Sequence, residues 1–146
     1  MFKRKIICLL MAILMLLGMA MPVIGTENSK QVTILFTHDM HSHLLPANDG
    51  SGVSYGGYAR LKTAIDEQLR LHPDALLVDG GDFSMGSLFQ TVFATDAAEL
   101  RIMGSLGYDA TTFGNHEYDY RAKGLARMLN AAVDSGEKLP KIVEAN

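Results

Sequence analysis

Val32-Thr33-Ile34-Leu35-Phe36-Thr37 is an unbroken β-branched and apolar run, and His38-Asp39-Met40-His41 follows it directly. A run of this kind predicts a buried strand that opens into a polar loop. The pattern returns twice. Ala75-Leu76-Leu77-Val78-Asp79 turns out through Gly80-Gly81-Asp82, and Asp109-Ala110-Thr111-Thr112-Phe113 turns out through Gly114-Asn115-His116-Glu117. Lys141-Ile142-Val143-Glu144-Ala145 begins a fourth strand.

Helical spacing fills the intervals. From Gly57 to Leu71, Leu61, Ala64, Ile65 and Leu69 can share one face, and His72-Pro73-Asp74 ends the helix. Asp96 and Glu99 have the spacing of a capping box, which opens a helix to about Leu106 that Gly107 stops. Arg121 to Asp134 is a further helix with Leu125, Met128, Leu129 and Ala132 on one side. Residues 38–56, rich in Gly, Ser, Asp, Asn and Pro, read as a long functional loop. Strands alternating with helices predict an α/β fold of right-handed βαβ units with a largely parallel sheet. In such sheets the carboxyl ends of the strands lie along one edge, where ligands bind.

That edge collects the chemistry. Asp39 and His41 follow the first strand, Asp82 the second, and Asn115 with His116 the third. Singly, each has an ordinary explanation, because Asp and Asn form turns at strand ends and a loop histidine is commonplace. Together on one edge they point to a metal site. Carboxylate, imidazole and carboxamide are oxygen and nitrogen donors suited to Zn, Mn, Fe, Co or similar divalent ions. The chain's one cysteine, Cys8, lies far from these groups in sequence, so a closed zinc site of the cysteine type is excluded.

The opening 25 residues read differently from the rest. Lys3, Arg4 and Lys5 precede an apolar run from Ile6, with small residues around Ala20 and Gly25, which is the pattern of a signal peptide over residues 1–25. Ile6 to Gly25 is also 20 uncharged residues, so an uncleaved membrane anchor is the alternative. Either way the chain is expected to be exported: periplasmic, cell-surface or extracellular. Without that segment, ten basic residues stand against 16 acidic ones, a net charge of −6. So acidic a domain is a poor general binder of polyanions, which argues against nucleic acid as a partner. If it handles phosphates, it needs cations to do so.

Four ordered blocks resemble a known family. Ile34-Leu35-Phe36-Thr37-His38-Asp39-Met40-His41, Gly56-Gly57-Tyr58-Ala59-Arg60, Val78-Asp79-Gly80-Gly81-Asp82 and Gly114-Asn115-His116-Glu117-Tyr118-Asp119 are similar to successive blocks of the 5′-nucleotidase and UDP-sugar hydrolase family of calcineurin-like metallophosphoesterases. The resemblance implies a β-sandwich flanked by helices, with residues 30–146 as the N-terminal portion of its catalytic domain. It implies metal-dependent hydrolysis of small phosphoesters, nucleotides foremost. Asp39 and His41 would bind the first of two divalent ions, Asp82 would bridge both, and Asn115 would bind the second. His116 would contact the phosphoryl group and Asp119 would orient it. Two cations about 4 Å apart can polarise a phosphoryl group and hold a hydroxide for in-line attack, with no serine or cysteine nucleophile.

Departures from that pattern carry their own expectations. His38 stands where the family often has Asn and reads as a solvent-facing loop residue, with a role beside Asp39 as the alternative. Ser42 stands where Gly is frequent. His43 reads as outside the immediate ligand set, His72 as surface, and Arg60 as a packing residue rather than a pin on the long loop. The family's catalytic domain has a second half with further histidines and a separate domain that stacks the base, so a truncated chain is expected. A catalytically inactive remnant that binds metal weakly is the alternative function, and an exported structural or adhesive module is a third.

Overall fold

The computed structural model describes residues 30–145. The expected signal peptide, residues 1–25, lies outside them. The elements run β1 (Ile34–Thr37), β2 (Ala47–Asn48), β3 (Ser54–Tyr55), α1 (Tyr58–Leu71), β4 (Leu76–Asp79), a 3-10 turn (Leu88–Val92), α2 (Phe93–Asp96), α3 (Ala98–Leu106), β5 (Ala110–Thr111), a second 3-10 turn (His116–Tyr118), α4 (Arg121–Asp134) and β6 (Lys141–Ile142). Strands β1, β4, β5 and β6 form one parallel sheet in that order, with Ile34 opposite Leu76 and Thr37 opposite Asp79. The α/β reading with parallel βαβ units therefore holds.

Because the strands follow one another in chain order, crossovers of a single hand place every intervening helix on the same face of the sheet. The burial pattern agrees. Leu77, Ile65, Phe93, Leu100, Met103, Met128 and Tyr108 belong to one buried core, against which Leu35 and Leu61 pack. On the other face Ile34 is 57% exposed and Phe36 61% exposed, and Leu76 is exposed beside them. Strands β1 and β4, expected to be buried, are covered on one side only. The described residues thus make a single helix-backed layer of the expected sandwich. No described helix is long and apolar enough to cross a membrane.

Three local expectations are corrected. The long loop carries a small antiparallel hairpin, β2 with β3, in which Ala47 opposes Tyr55. Its turn is held by the Asp49 carboxylate, which accepts from the Ser51 amide at 2.8 Å and the Ser51 hydroxyl at 2.6 Å. Arg60 pins that hairpin rather than packing, donating to Gly56 O and Ser54 Oγ at 3.1 Å each. The capping box at Asp96 and Glu99 does not form. Ala97 adopts a left-handed φ of 48° that separates α2 from α3, and α3 has no side-chain cap. Burial decides this outcome, because Glu99 turns inward to Ser42 and its carboxylate is no longer free to reach the helix end.

Candidate metal centre

The β1 and β4 ladder does not stop where the strands end. Beyond Thr37, the Asp39 amide donates to Gly81 O at 3.0 Å, the His41 amide to Asp82 O at 3.0 Å, and the Ser42 amide to Phe83 O at 2.9 Å. These bonds zip the two loops together and hold unusual conformations. Asp39, His41, Ser42 and Asp82 all have left-handed backbones, with φ between 46° and 54°. Such conformations cost about 1–3 kcal/mol each and persist where the surroundings over-determine them.

Asp82 joins three loops at once. Its carbonyl accepts from His41, its amide donates to Glu117 Oε2 at 2.9 Å, and its Oδ1 accepts from the His116 amide at 2.8 Å. The carboxylate can lie there because residue 114 is glycine: a Cβ on Gly114 would sit 2.1 Å from Asp82 Oδ1. Gly81 meets the same loop, and a Cβ on it would lie 2.4 Å from the Gly114 nitrogen. The loops after β4 and β5 therefore touch backbone to backbone.

This arrangement brings one ligand atom each from His41, Asp82 and His116 within 4.8 Å of one another. The His41 and His116 rings meet edge to face with centroids 5.0 Å apart. Asp39 stands outside that trio: its Oδ1 lies 3.5 Å from His41 Nε2, and its side chain is half exposed. His38 contacts the other oxygen of Asp39, and that hydrogen bond is the main cause holding the Asp39 carboxyl below its usual range. His38 is solvent-facing as expected, with its side chain 60% exposed, and it also bonds Asp39. Asn115 sits at the start of the His116–Tyr118 turn with its side chain exposed. His72 is exposed as expected, and His43 is exposed too. The converging donors are imidazole and carboxylate, which fit a divalent cation of the first transition row.

His116 Nδ1 lies 2.8 Å from Asp119 Oδ2, which leaves Nε2 as its free nitrogen. The Asp119 contact is the main cause raising the His116 pKa above the ordinary 6.5. A raised folded-state value means that protonated His116 stabilises the fold fully below the unfolded pKa, and that this contribution is lost as pH rises through the folded value. Replacing Asp119 with asparagine is expected to move the His116 titration of the metal-free protein downward, followed by proton NMR of the imidazole. An unmoved titration would detach Asp119 from His116.

Beneath the ligand loops lies a polar layer that the sequence did not disclose. Glu117 is fully buried. Its Oε2 accepts from the Asp82 amide and, at 2.7 Å, from the Gly114 amide, while Oε1 accepts from the Ser84 amide at 3.0 Å and hydroxyl at 2.6 Å. One carboxylate therefore ties the loops after β4 and β5 together. Asp79 does the same one layer down, accepting from Thr37 Oγ1 at 2.7 Å, Thr111 Oγ1 at 2.9 Å and the Gly81 amide at 2.9 Å. Burial pushes the Asp79 and Glu99 carboxyls above their usual range.

Fold and cluster together define an α/β protein with three donor groups, able to hold a metal ion, at the carboxyl ends of its strands. The model of the calcineurin-like phosphoesterase family matches residues 32–143. The chain belongs to that family. It is 35% identical to a 5′-nucleotidase of Rattus norvegicus over 119 residues, covering 77% of this chain and 20% of that protein. It is 38% identical to the snake venom 5′-nucleotidase of Gloydius brevicauda over 107 residues, covering 70% of this chain and 18% of the relative. The crystal structure of a 5′-nucleotidase precursor from Thermus thermophilus superposes with a TM-score of 0.62 at 31% identity, over 79% of this chain and 22% of that one. The chain thus spans about a fifth of the length of the relatives it matches.

Proposed function

We propose that this chain serves metal-dependent hydrolysis of phosphoesters, with nucleotides as the substrate class, from an exported position. The observation that carries the reading is the convergence of His41, Asp82 and His116 at the ends of three parallel strands. In this reading Asp39 and His41 would hold a first cation, Asp82 would serve both it and a second, and Asn115 would hold the second. The hub position of Asp82, bonded to the loops of both His41 and His116, supports its role as the bridge. Two divalent cations supply, when bound, the polarisation of the phosphoryl group and the activation of water.

The chain's own residues do the rest. Asp119 fixes the His116 ring by holding Nδ1 and favours its protonated form, so that Nε2 can donate a hydrogen bond to a phosphoryl oxygen or a proton to the leaving oxygen. The carboxylates of Asp39 and Asp82 give an acidic domain the means to gather the cations that its phosphate substrate requires. The substrate class follows the 5′-nucleotidases named above, and an exported position accords with a venom enzyme among them.

The full chain, supplied with Mn or Zn, is expected to release phosphate from a nucleoside monophosphate and a chromogenic phosphoester. Chelator should abolish the activity, and Asp82→Ala should reduce it by about 100-fold or more. Chelator-insensitive turnover, or turnover indifferent to Asp82→Ala, would sink the reading. Metal binding without turnover is the second reading, favoured by the exposure of Asp39 and Asn115. Calorimetric binding of Mn with no phosphate release selects it.

A further inference from the structure

We propose that Glu99 is a positioning residue for the His41 loop and acts through Ser42. Both side chains are fully buried, and the Ser42 hydroxyl donates to Glu99 Oε1 at 2.6 Å. Ser42 has every polar group engaged: its amide bonds Phe83 O, and its carbonyl accepts from the Ser87 hydroxyl at 2.7 Å and the Leu44 amide at 2.8 Å. The residue before it, His41, contributes a ligand atom to the metal cluster and shares its left-handed backbone. Fixing Ser42 therefore sets where the chain leaves the His41 position.

Glu99 is poorly explained by anything else. It does not cap α3, and its second oxygen, Oε2, is buried without a hydrogen-bond partner among the described residues. An apolar side chain would fill the same space without the cost of burying a carboxyl group. What the carboxyl adds is one directed acceptor in a core that otherwise packs without direction. The Ser42 hydroxyl uses it to anchor a turn whose conformation is unfavourable by itself.

The metal readout below rests on the proposed metal centre; the exchange readout does not. Amide hydrogen exchange of the metal-free chain is compared for wild type, Ser42→Gly, Ser42→Ala and Glu99→Gln, followed by Mn titration of each. Exchange at the His41 and Ser42 amides is expected to quicken about tenfold in both Ser42 variants, as loss of one hydrogen bond to a carboxyl group implies. Amides of β4 and β5 should keep their wild-type rates. Glu99→Gln retains a side-chain carbonyl to accept from Ser42 and should stay within about twofold of wild type. Mn affinity is expected to fall about tenfold in the Ser42 variants and to be retained in Glu99→Gln.

Ser42→Gly is the decisive variant, since glycine relieves the left-handed backbone while removing the hydroxyl. Exchange that is unchanged or slower in Ser42→Gly overturns the proposal, because the contact would then add nothing. Acceleration spread evenly over the sheet overturns it too, by making the pair ordinary core packing. A wild-type chain that binds no Mn, but whose Ser42 variants loosen residues 41–42 selectively, upholds the positioning role and refutes the metal reading alone.

Discussion

Glu117→Ala is expected to lower the stability of the fold by about 3–5 kcal/mol, the largest loss foreseen for any single polar side chain here. The carboxylate accepts from the amides of Asp82, Ser84 and Gly114 and from the Ser84 hydroxyl, all at 3.0 Å or less. Alanine leaves three backbone donors without a partner in the protein, at about 1–3 kcal/mol for each that stays dry. Water entering the vacated space recovers part of that, which sets the estimate below the simple total. Glu117→Gln separates volume from hydrogen bonding. Its amide group would face donors on whichever side it took, so the isostere should still lose at least half as much. Urea unfolding of the three proteins measures this, and a glutamine variant as stable as wild type would show that Glu117 only fills space.

Gly114→Ala should act on the metal site first and on the fold to a lesser degree. No left-handed backbone demands glycine at this position; the requirement is space, because the new methyl would fall 2.1 Å from Asp82 Oδ1 and 2.4 Å from its Cγ. The carboxylate must swing away, breaking its bond from the His116 amide. Divalent-ion affinity is expected to drop roughly 100-fold, the upper end for losing a contact that orients a ligand. Stability should fall by about 1–3 kcal/mol, as for other overpacked sites. Gly136 provides the contrast, with φ of 68° and nothing within 4 Å of an added Cβ. Gly136→Ala should cost about 1 kcal/mol through backbone strain alone and leave metal affinity intact. Mn titration by calorimetry checks both, and undiminished affinity in Gly114→Ala would remove Asp82 from the ligand set.

What could be read from the chain beforehand follows a physical divide. Strand and helix positions were legible because hydrophobic periodicity is a local signal, and α4 begins and ends at the expected residues. The convergence of His41, Asp82 and His116 was legible because a parallel sheet gathers strand ends by topology, whatever their separation in sequence. Glu117 and Glu99 were not legible in their true roles. Apart from the Gly114 amide, their partners lie 33 to 57 residues away, and nothing in the neighbouring sequence announces them. Glu99 misled for the same reason, since its local spacing suits a helix cap while its tertiary surroundings claim the carboxyl. The hairpin at Ala47 and Tyr55 is a different case. Asp49-Gly50-Ser51-Gly52 carries a recognisable turn signal, which the polarity of the surrounding loop obscured.

The left-handed backbones of Asp39, His41, Ser42 and Asp82 bear on how such a chain can evolve. Glycine or asparagine would relax each of them, so at these positions thermodynamic improvement and retention of ligands pull in opposite directions. A lineage selected for robustness alone would lose its ion-binding side chains early and keep its fold. Three candidate ligands, Asp39, His41 and Asp82, together with the buried Ser42, occupy strained positions at standing expense to the scaffold beneath them.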